Sequence, residues 1–85
     1  MDGDLLYVSA PDCHLCEDGR RIVEALARGA GLGVVELRWS EARARELTER
    51  DGVPFPPAVY LDDRLLGYGR LSARRLRKVL AQVPA

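Results

Sequence analysis

Two cysteines three residues apart, Cys13 and Cys16, are the residues in this sequence best suited to chemistry. They are the only cysteines in the chain. Residues i and i+3 lie on one helix face about a turn apart, so two sulfurs so placed can close a disulfide with little backbone movement. A cysteine at a helix start faces unpaired N–H groups and the positive end of the helix dipole, and both favour thiolate over thiol. The thiolate is the nucleophile in disulfide exchange. Cys13 is therefore expected to attack a substrate disulfide and Cys16 to resolve the mixed disulfide, with Cys16 deeper and less exposed. His14, between them, would stabilise the thiolate if protonated; Asp12 would oppose it.

The same thiols allow other readings. A structural zinc site needs four ligands, and the chain offers two Cys and one adjacent His. A metal or iron–sulfur cluster would need thiolates shared between two chains. A non-catalytic module whose disulfide is only a sensor is the third reading. As a structural staple the pair is poor, because a loop this small removes little chain entropy.

The segments around the motif can position it. Leu5-Leu6-Tyr7-Val8 reads as a buried first strand, and Pro11-Asp12 as a turn with Asp12 as helix N-cap. Leu15, Gly19, Ile22, Val23 and Leu26 form one face of an amphipathic helix running to about Arg28, stopped by Gly29-Ala30-Gly31. Val34 to Trp39 reads as a second strand near an edge, with Val35, Leu37 and Trp39 on one face and Glu36 and Arg38 on the other. Ser40 is the expected cap of a helix from Glu41 to Arg50, supported by Glu41–Arg45 and Glu46–Arg50 pairs and ended by Gly52. Val53-Pro54-Phe55-Pro56-Pro57 can be neither helix nor central strand. Ala58 to Leu61 and Arg64 to Tyr68 make a hairpin around Asp62-Asp63. Ser72 caps a last helix with Leu76, Val79, Leu80 and Val83 as its apolar stripe. The order β-α-β-α-β-β-α is an α/β arrangement, with a parallel crossover between strands 1 and 2.

The 85 residues suffice for one domain. A hydrophobic fraction of 47% suits a folded chain rather than a disordered one. No apolar run is long enough to span a membrane, and the acidic Met1-Asp2-Gly3-Asp4 start lacks a signal peptide's basic region. The protein is therefore expected in the cytoplasm, away from membranes and as a monomer. Formal charge is zero, which argues against a nucleic-acid binder. Its distribution is uneven: residues 1–52 hold 7 Arg against 11 Asp and Glu, and residues 53–85 hold 6 Lys and Arg against 2 Asp. Arg70, Arg74, Arg75, Arg77 and Lys78 read first as the solvated face of a helix. As a functional patch they suit carboxylates of a thiol cofactor or an acidic partner, with Arg70 the best candidate. Trp39 and Tyr68 read as core or edge packing.

Tyr7 to Cys16, Pro57 to Asp63 and Leu66-Gly67-Tyr68-Gly69 together resemble the glutaredoxin branch of the thioredoxin-like superfamily. The likeness extends from about Leu5 to Val83 and makes residues 1–85 a single glutaredoxin-like domain. It implies a thioredoxin-like, glutaredoxin-type fold, a four-stranded mixed sheet flanked by three helices, with strands 1 and 2 parallel and 3 and 4 antiparallel. It implies an enzyme: a thiol–disulfide oxidoreductase with Cys13 and Cys16 as catalytic residues and a disulfide-containing protein or small thiol as partner. No bound cofactor is implied. Pro56 and Pro57 fall where the family docks substrate, and His14 and Arg70 are the further substrate-binding candidates. The family places a cis-proline just before the third strand; Pro57 takes that place counted back from the Asp62 turn, with Pro54 the rival because Val53-Pro54 matches the family's Val-Pro. Three places depart from the pattern. Pro56 has no N–H to give a substrate backbone. Asp12 replaces a basic residue before the first cysteine, and Gly67-Tyr68-Gly69-Arg70 replaces a Gly-Gly-x-Asp-like element. The reductant stays open between glutathione, another low-molecular-weight thiol and a protein dithiol.

Overall fold

The computed structural model describes residues 3–83. Four strands and three helices follow one another as β1 (Asp4–Ser9), α1 (His14–Ala30), β2 (Gly33–Arg38), α2 (Ala42–Arg50), β3 (Ala58–Leu61), β4 (Arg64–Tyr68) and α3 (Ala73–Ala81). The strands form one mixed sheet in the order β2-β1-β3-β4. β1 and β2 are parallel, with Tyr7 opposite Glu36. β1 and β3 are antiparallel, with Tyr7 opposite Val59, and β3 and β4 are antiparallel. The strand and helix order matches the sequence expectation, and β2 is an edge strand.

Side-chain alternation divides the sheet into two faces. Leu5 and Tyr7 of β1, Val59 and Leu61 of β3 and Leu66 of β4 pack with Val23, Leu26, Leu76 and Leu80 under α1 and α3. Val8, Ala58 and Tyr60 point the other way and pack with Ala44, Leu47 and Val53 at α2. Leu37 and Trp39 join this second cluster and Val34 the first, which is the facing that the β2 alternation requires.

Local rules account for most boundaries. Gly31, at φ 70°, ends α1, with Leu32 N–H donating to Ala27 C=O at 2.9 Å. This left-handed cap lets the helix run to Ala30, two residues past the expected end. Asp62 and Asp63 both take positive φ, as the tightest two-residue hairpin turns demand. Ser72 caps α3 as expected, its Oγ accepting from Arg75 N–H.

Two expected caps are corrected. Asp12 does not cap α1: it sits at φ 53° in the turn, and Cys13 takes the cap position. Asp tolerates the left-handed region because of its short polar side chain, so the turn absorbs it. Ser40 does not cap α2 either. Glu41 occupies that position without a side-chain cap bond, and its carboxylate accepts instead from Arg38 N–H at 2.6 Å. The expected Glu41–Arg45 and Glu46–Arg50 pairs are not the ones formed. The helix pairs Arg43 with Glu46 and Arg45 with Glu49, while Arg50 turns to Asp51 beyond the helix end.

Candidate functional site

β1 delivers the chain to the Pro11-Asp12 turn, and Cys13 follows as the N-cap of α1. Cys13 and Cys16 are joined as a disulfide, with Cα atoms 5.1 Å apart. Cys13 Sγ also accepts the Cys16 backbone N–H at 3.1 Å, the role a Ser or Asp oxygen plays at an ordinary cap. The two sulfurs differ in access. Cys16 is 1% exposed, whereas Cys13 is half-buried and reachable. His14 is exposed at the first helical position, and Glu17 in the first turn complements the helix dipole.

The Pro56–Pro57 peptide bond is cis, and it is the only cis bond among the described residues. Pro57 is buried at the start of β3, where the adjacent Ala58 pairs with Val8 of β1. It therefore lies at the end of the sheet from which the cysteine turn departs. Its carbonyl accepts Gly69 N–H at 2.7 Å, fastening the approach to β3 against the end of β4. A Cβ on Gly19 would fall 2.6 Å from the Tyr7 hydroxyl, so a glycine lets α1 lie this close to β1, with Pro57 Cγ 3.4 Å from the same point. Pro56 is partly exposed, with a carbonyl to offer and no N–H. Arg70 is exposed in the turn after Gly69.

A polar network beneath the motif was not foreseen from sequence. The Tyr7 hydroxyl, buried in β1, donates to Cys16 C=O at 2.5 Å. Burial pushes the Tyr7 phenol up to about 12, so it remains a neutral donor across the physiological range. Arg20, one turn past Cys16, holds Glu36 of β2 through two hydrogen bonds at 2.8 and 2.7 Å. Its guanidinium carbon is 6.0 Å from the Tyr7 ring centroid. Ser9 Oγ donates to the same carboxylate at 2.6 Å. The Arg20 hydrogen bonds hold the Glu36 carboxyl below its ordinary pKa, with Ser9 adding to the effect. β1, β2 and α1 are thus tied together at the cysteine end by side chains as well as packing. The signal that would have found the Tyr7 bond is a tyrosine inside a buried apolar run, since a buried phenol needs a partner.

Trp39 is half-buried against the α2-side cluster. Tyr68 is not core: it is 44% exposed and meets Phe55, 48% exposed, edge to face with centroids 5.9 Å apart. No group of three or more His, Cys, Asp or Glu able to hold a metal comes together among the described residues. None of their helices is long and apolar enough to cross a membrane.

No protein-family model and no curated protein matches the chain. Among solved structures, one described only as that of a malarial protein is similar over 93% of each chain, with 15% identity and a TM-score of 0.64. At that identity the likeness concerns the fold. What the chain itself contributes is a small α/β fold with a disulfide-bonded pair, Cys13 and Cys16, consistent with redox thiol chemistry.

Proposed function

We propose that the chain is a glutaredoxin-like thiol–disulfide oxidoreductase of thioredoxin-like fold, acting in the cytoplasm as a monomer. The observation that carries the reading is the asymmetry of the pair: an accessible Cys13 at the helix cap, its sulfur already on a backbone N–H, and a buried Cys16. The strand order, with β1 central and parallel to β2, is compatible with this fold.

In the reduced protein the Cys16 N–H and the helix dipole would hold Cys13 as thiolate. The thiolate attacks one sulfur of a substrate disulfide, forming a Cys13 mixed disulfide and releasing the other sulfur as a thiolate. The Cys16 thiolate then attacks Cys13 Sγ, releasing the second substrate thiol and leaving the Cys13–Cys16 disulfide. Two electrons pass to the substrate, and a low-molecular-weight thiol such as glutathione, or a protein dithiol, returns them. Pro57 shapes the groove beside the pair, with the Pro56 carbonyl as a backbone acceptor. His14 and Arg70 flank the approach.

The test is reduction of insulin and of a small mixed disulfide by wild type, Cys13→Ser and Cys16→Ser. Cys13→Ser should abolish turnover, and Cys16→Ser should trap a mixed disulfide with protein substrates. Equal activity in wild type and Cys13→Ser would overturn the assignment.

A further inference from the structure

The segment from Arg64 to Val83 contains six cations and no acid. Five of the cations, Arg70, Arg74, Arg75, Arg77 and Lys78, are exposed on α3 and the turn leading into it. None makes an ion pair among the described residues, whereas Arg20, Arg43, Arg45 and Arg50 each have an acidic partner. Within α3 the spacings are repulsive: Arg74 and Lys78 stand four apart, and Arg74–Arg77 and Arg75–Lys78 three apart. Like charges at these spacings destabilise a helix. A merely solvated face would alternate sign, as α2 does. A face of one sign is relieved by carboxylates from outside.

An apolar element lies beside these cations. Phe55 and Tyr68 form an exposed edge-to-face pair on the rim of a hollow of about 490 Å³, which Arg70, Leu71 and Arg75 also line. Gly69, at φ 72°, makes this approach feasible, because a Cβ there would meet the Phe55 ring at 3.1 Å. A second hollow of about 390 Å³ adjoins it, lined by Arg70, Arg74, Arg75 and Lys78. Leu71, which lines both, links them to the cysteine helix. Leu71 borders Gly19, where a Cβ would lie 3.0 Å from its Cδ1, and Gly69 is bonded to Pro57.

We infer that this surface docks the acidic polypeptide segment that carries the target disulfide. Carboxylates of the segment meet the α3 guanidinium and ammonium groups, and an apolar side chain seats against Phe55 and Tyr68. The inference rests on the redox reading of Cys13 and Cys16. A polypeptide fits better than a nucleic acid. Asp12, Glu17 and Asp18 surround the cysteine end of α1, and a continuous run of phosphates crossing the site would meet them. A polypeptide can confine its carboxylates to the α3 side.

Three synthetic peptides of equal length, each closed by one internal disulfide and flanked by Glu, Gln or Lys, test the surface. Binding is read by fluorescence anisotropy on Cys13→Ser, which lacks the accessible thiol that would form the mixed disulfide and keeps only the buried Cys16. At low ionic strength the Glu peptide should bind at least about tenfold more tightly than the Gln peptide, the Lys peptide most weakly, and the preference should shrink as the screening length falls to ~3 Å near 1 M salt. Reversing the charge at Arg74→Glu, Arg75→Glu and Lys78→Glu together should invert the order. If that variant does not fold, the ranking and salt response of the Cys13→Ser protein still decide. Equal binding of Glu and Gln peptides overturns the inference, as does tighter binding of a short oligothymidylate. Reduction of the Gln peptide by wild type against Cys13→Ser is followed in parallel. Loss of that difference strikes the redox reading, while the binding order reports on the surface alone.

Discussion

Tyr7 and Tyr60 stand on neighbouring antiparallel strands and are both 0% exposed, yet they lie on opposite faces of the sheet. Burial raises both phenols to about 12. Their hydroxyls fare differently. Tyr7 donates to the Cys16 carbonyl, within a setting that Arg20, Glu36 and Ser9 complete. The Tyr60 hydroxyl meets no partner in hydrogen-bond geometry among the described residues; the nearby Asp51 carboxylate adds to burial in raising its pKa. The α1 face therefore couples packing to the position of the cysteines. The α2 face adds burial and ties α2 to the β3–β4 hairpin, with Arg43 bonded to the Asp63 carboxylate and Arg50 to the Asp63 carbonyl. The buried side-chain hydrogen bond that reaches the cysteines lies on the face that carries the cysteine helix.

The strongest way to break the Tyr7 side of the comparison is to push α1 off the tyrosine. A Cβ at position 19 would lie 2.6 Å from the Tyr7 hydroxyl and 3.0 Å from Leu71 Cδ1. Gly19→Ala is expected to destabilise the fold by about 1–3 kcal/mol, the usual cost of overpacking, despite the better helix propensity of alanine. Gly29→Ala, in the same helix with nothing within 4 Å of its Cβ, is the control and should stabilise by about 0.5–1 kcal/mol. Urea denaturation of both variants measures the difference. A stabilised Gly19→Ala would show that the helix can shift at no cost.

Removing only the hydroxyls sharpens the comparison. Tyr7→Phe deletes a bond to Cys16 and should cost about 0.5–1.5 kcal/mol. Tyr60→Phe removes a buried hydroxyl with no partner in bonding geometry among the described residues and should cost less than Tyr7→Phe. Tyr7→Phe should also change the rate at which Cys16 resolves a mixed disulfide, which Tyr60→Phe should leave alone. Matched stability losses in the two variants would erase the distinction between the faces.

Much of this arrangement was legible in the sequence. Period-two and period-3.6 patterns give the seven elements, and the hairpin and third-strand limits are those observed, because Asp62-Asp63 and the prolines punctuate them sharply. The cysteine pair is equally plain: two thiols at helical spacing after a strand. The caps were less legible. Asp12 and Ser40 are good capping types, but a turn at positive φ moved the first cap to Cys13, and α2 starts with Glu41 bonded back to Arg38. Pairings between elements were not legible at all. Glu36 and Arg20 are 16 residues apart, and only the parallel β1–β2 register brings them under one helix. The same holds for Phe55 and Tyr68, which meet because Gly69 turns back onto Pro57.

Titration separates the two tyrosines from the ion pair on the α1 face. A phenol raised from 10 to about 12 by folding leaves stability intact below pH 10 and lowers it as pH rises toward 12. Both tyrosines contribute, so Tyr7→Phe and Tyr60→Phe should each flatten the alkaline limb of a stability–pH profile. An alkaline limb unchanged in both variants would contradict their burial as neutral phenols.

The smallest expected effect belongs to Glu36. Its carboxyl is held below the ordinary 4.5, chiefly by hydrogen bonds from Arg20, so its contribution is present above that value and lost as pH falls below it. The Arg20 and Glu36 side chains are 36% and 38% exposed, and solvent screening keeps such a pair to at most about 1 kcal/mol. Glu36→Gln should therefore lower stability slightly at pH 7 and flatten the acid limb. Added salt should reduce the difference, because an exposed pair is screened. The α2 pairs Arg43–Glu46 and Arg45–Glu49 are exposed and bridge adjacent turns of one helix, whereas Glu36 joins β2 to α1. Glu49→Gln should thus leave Cys13 alkylation unchanged, while Glu36→Gln should alter it through the α1 start. Identical alkylation profiles in the two variants would mean that the network under the cysteines serves stability and not the cysteine pair.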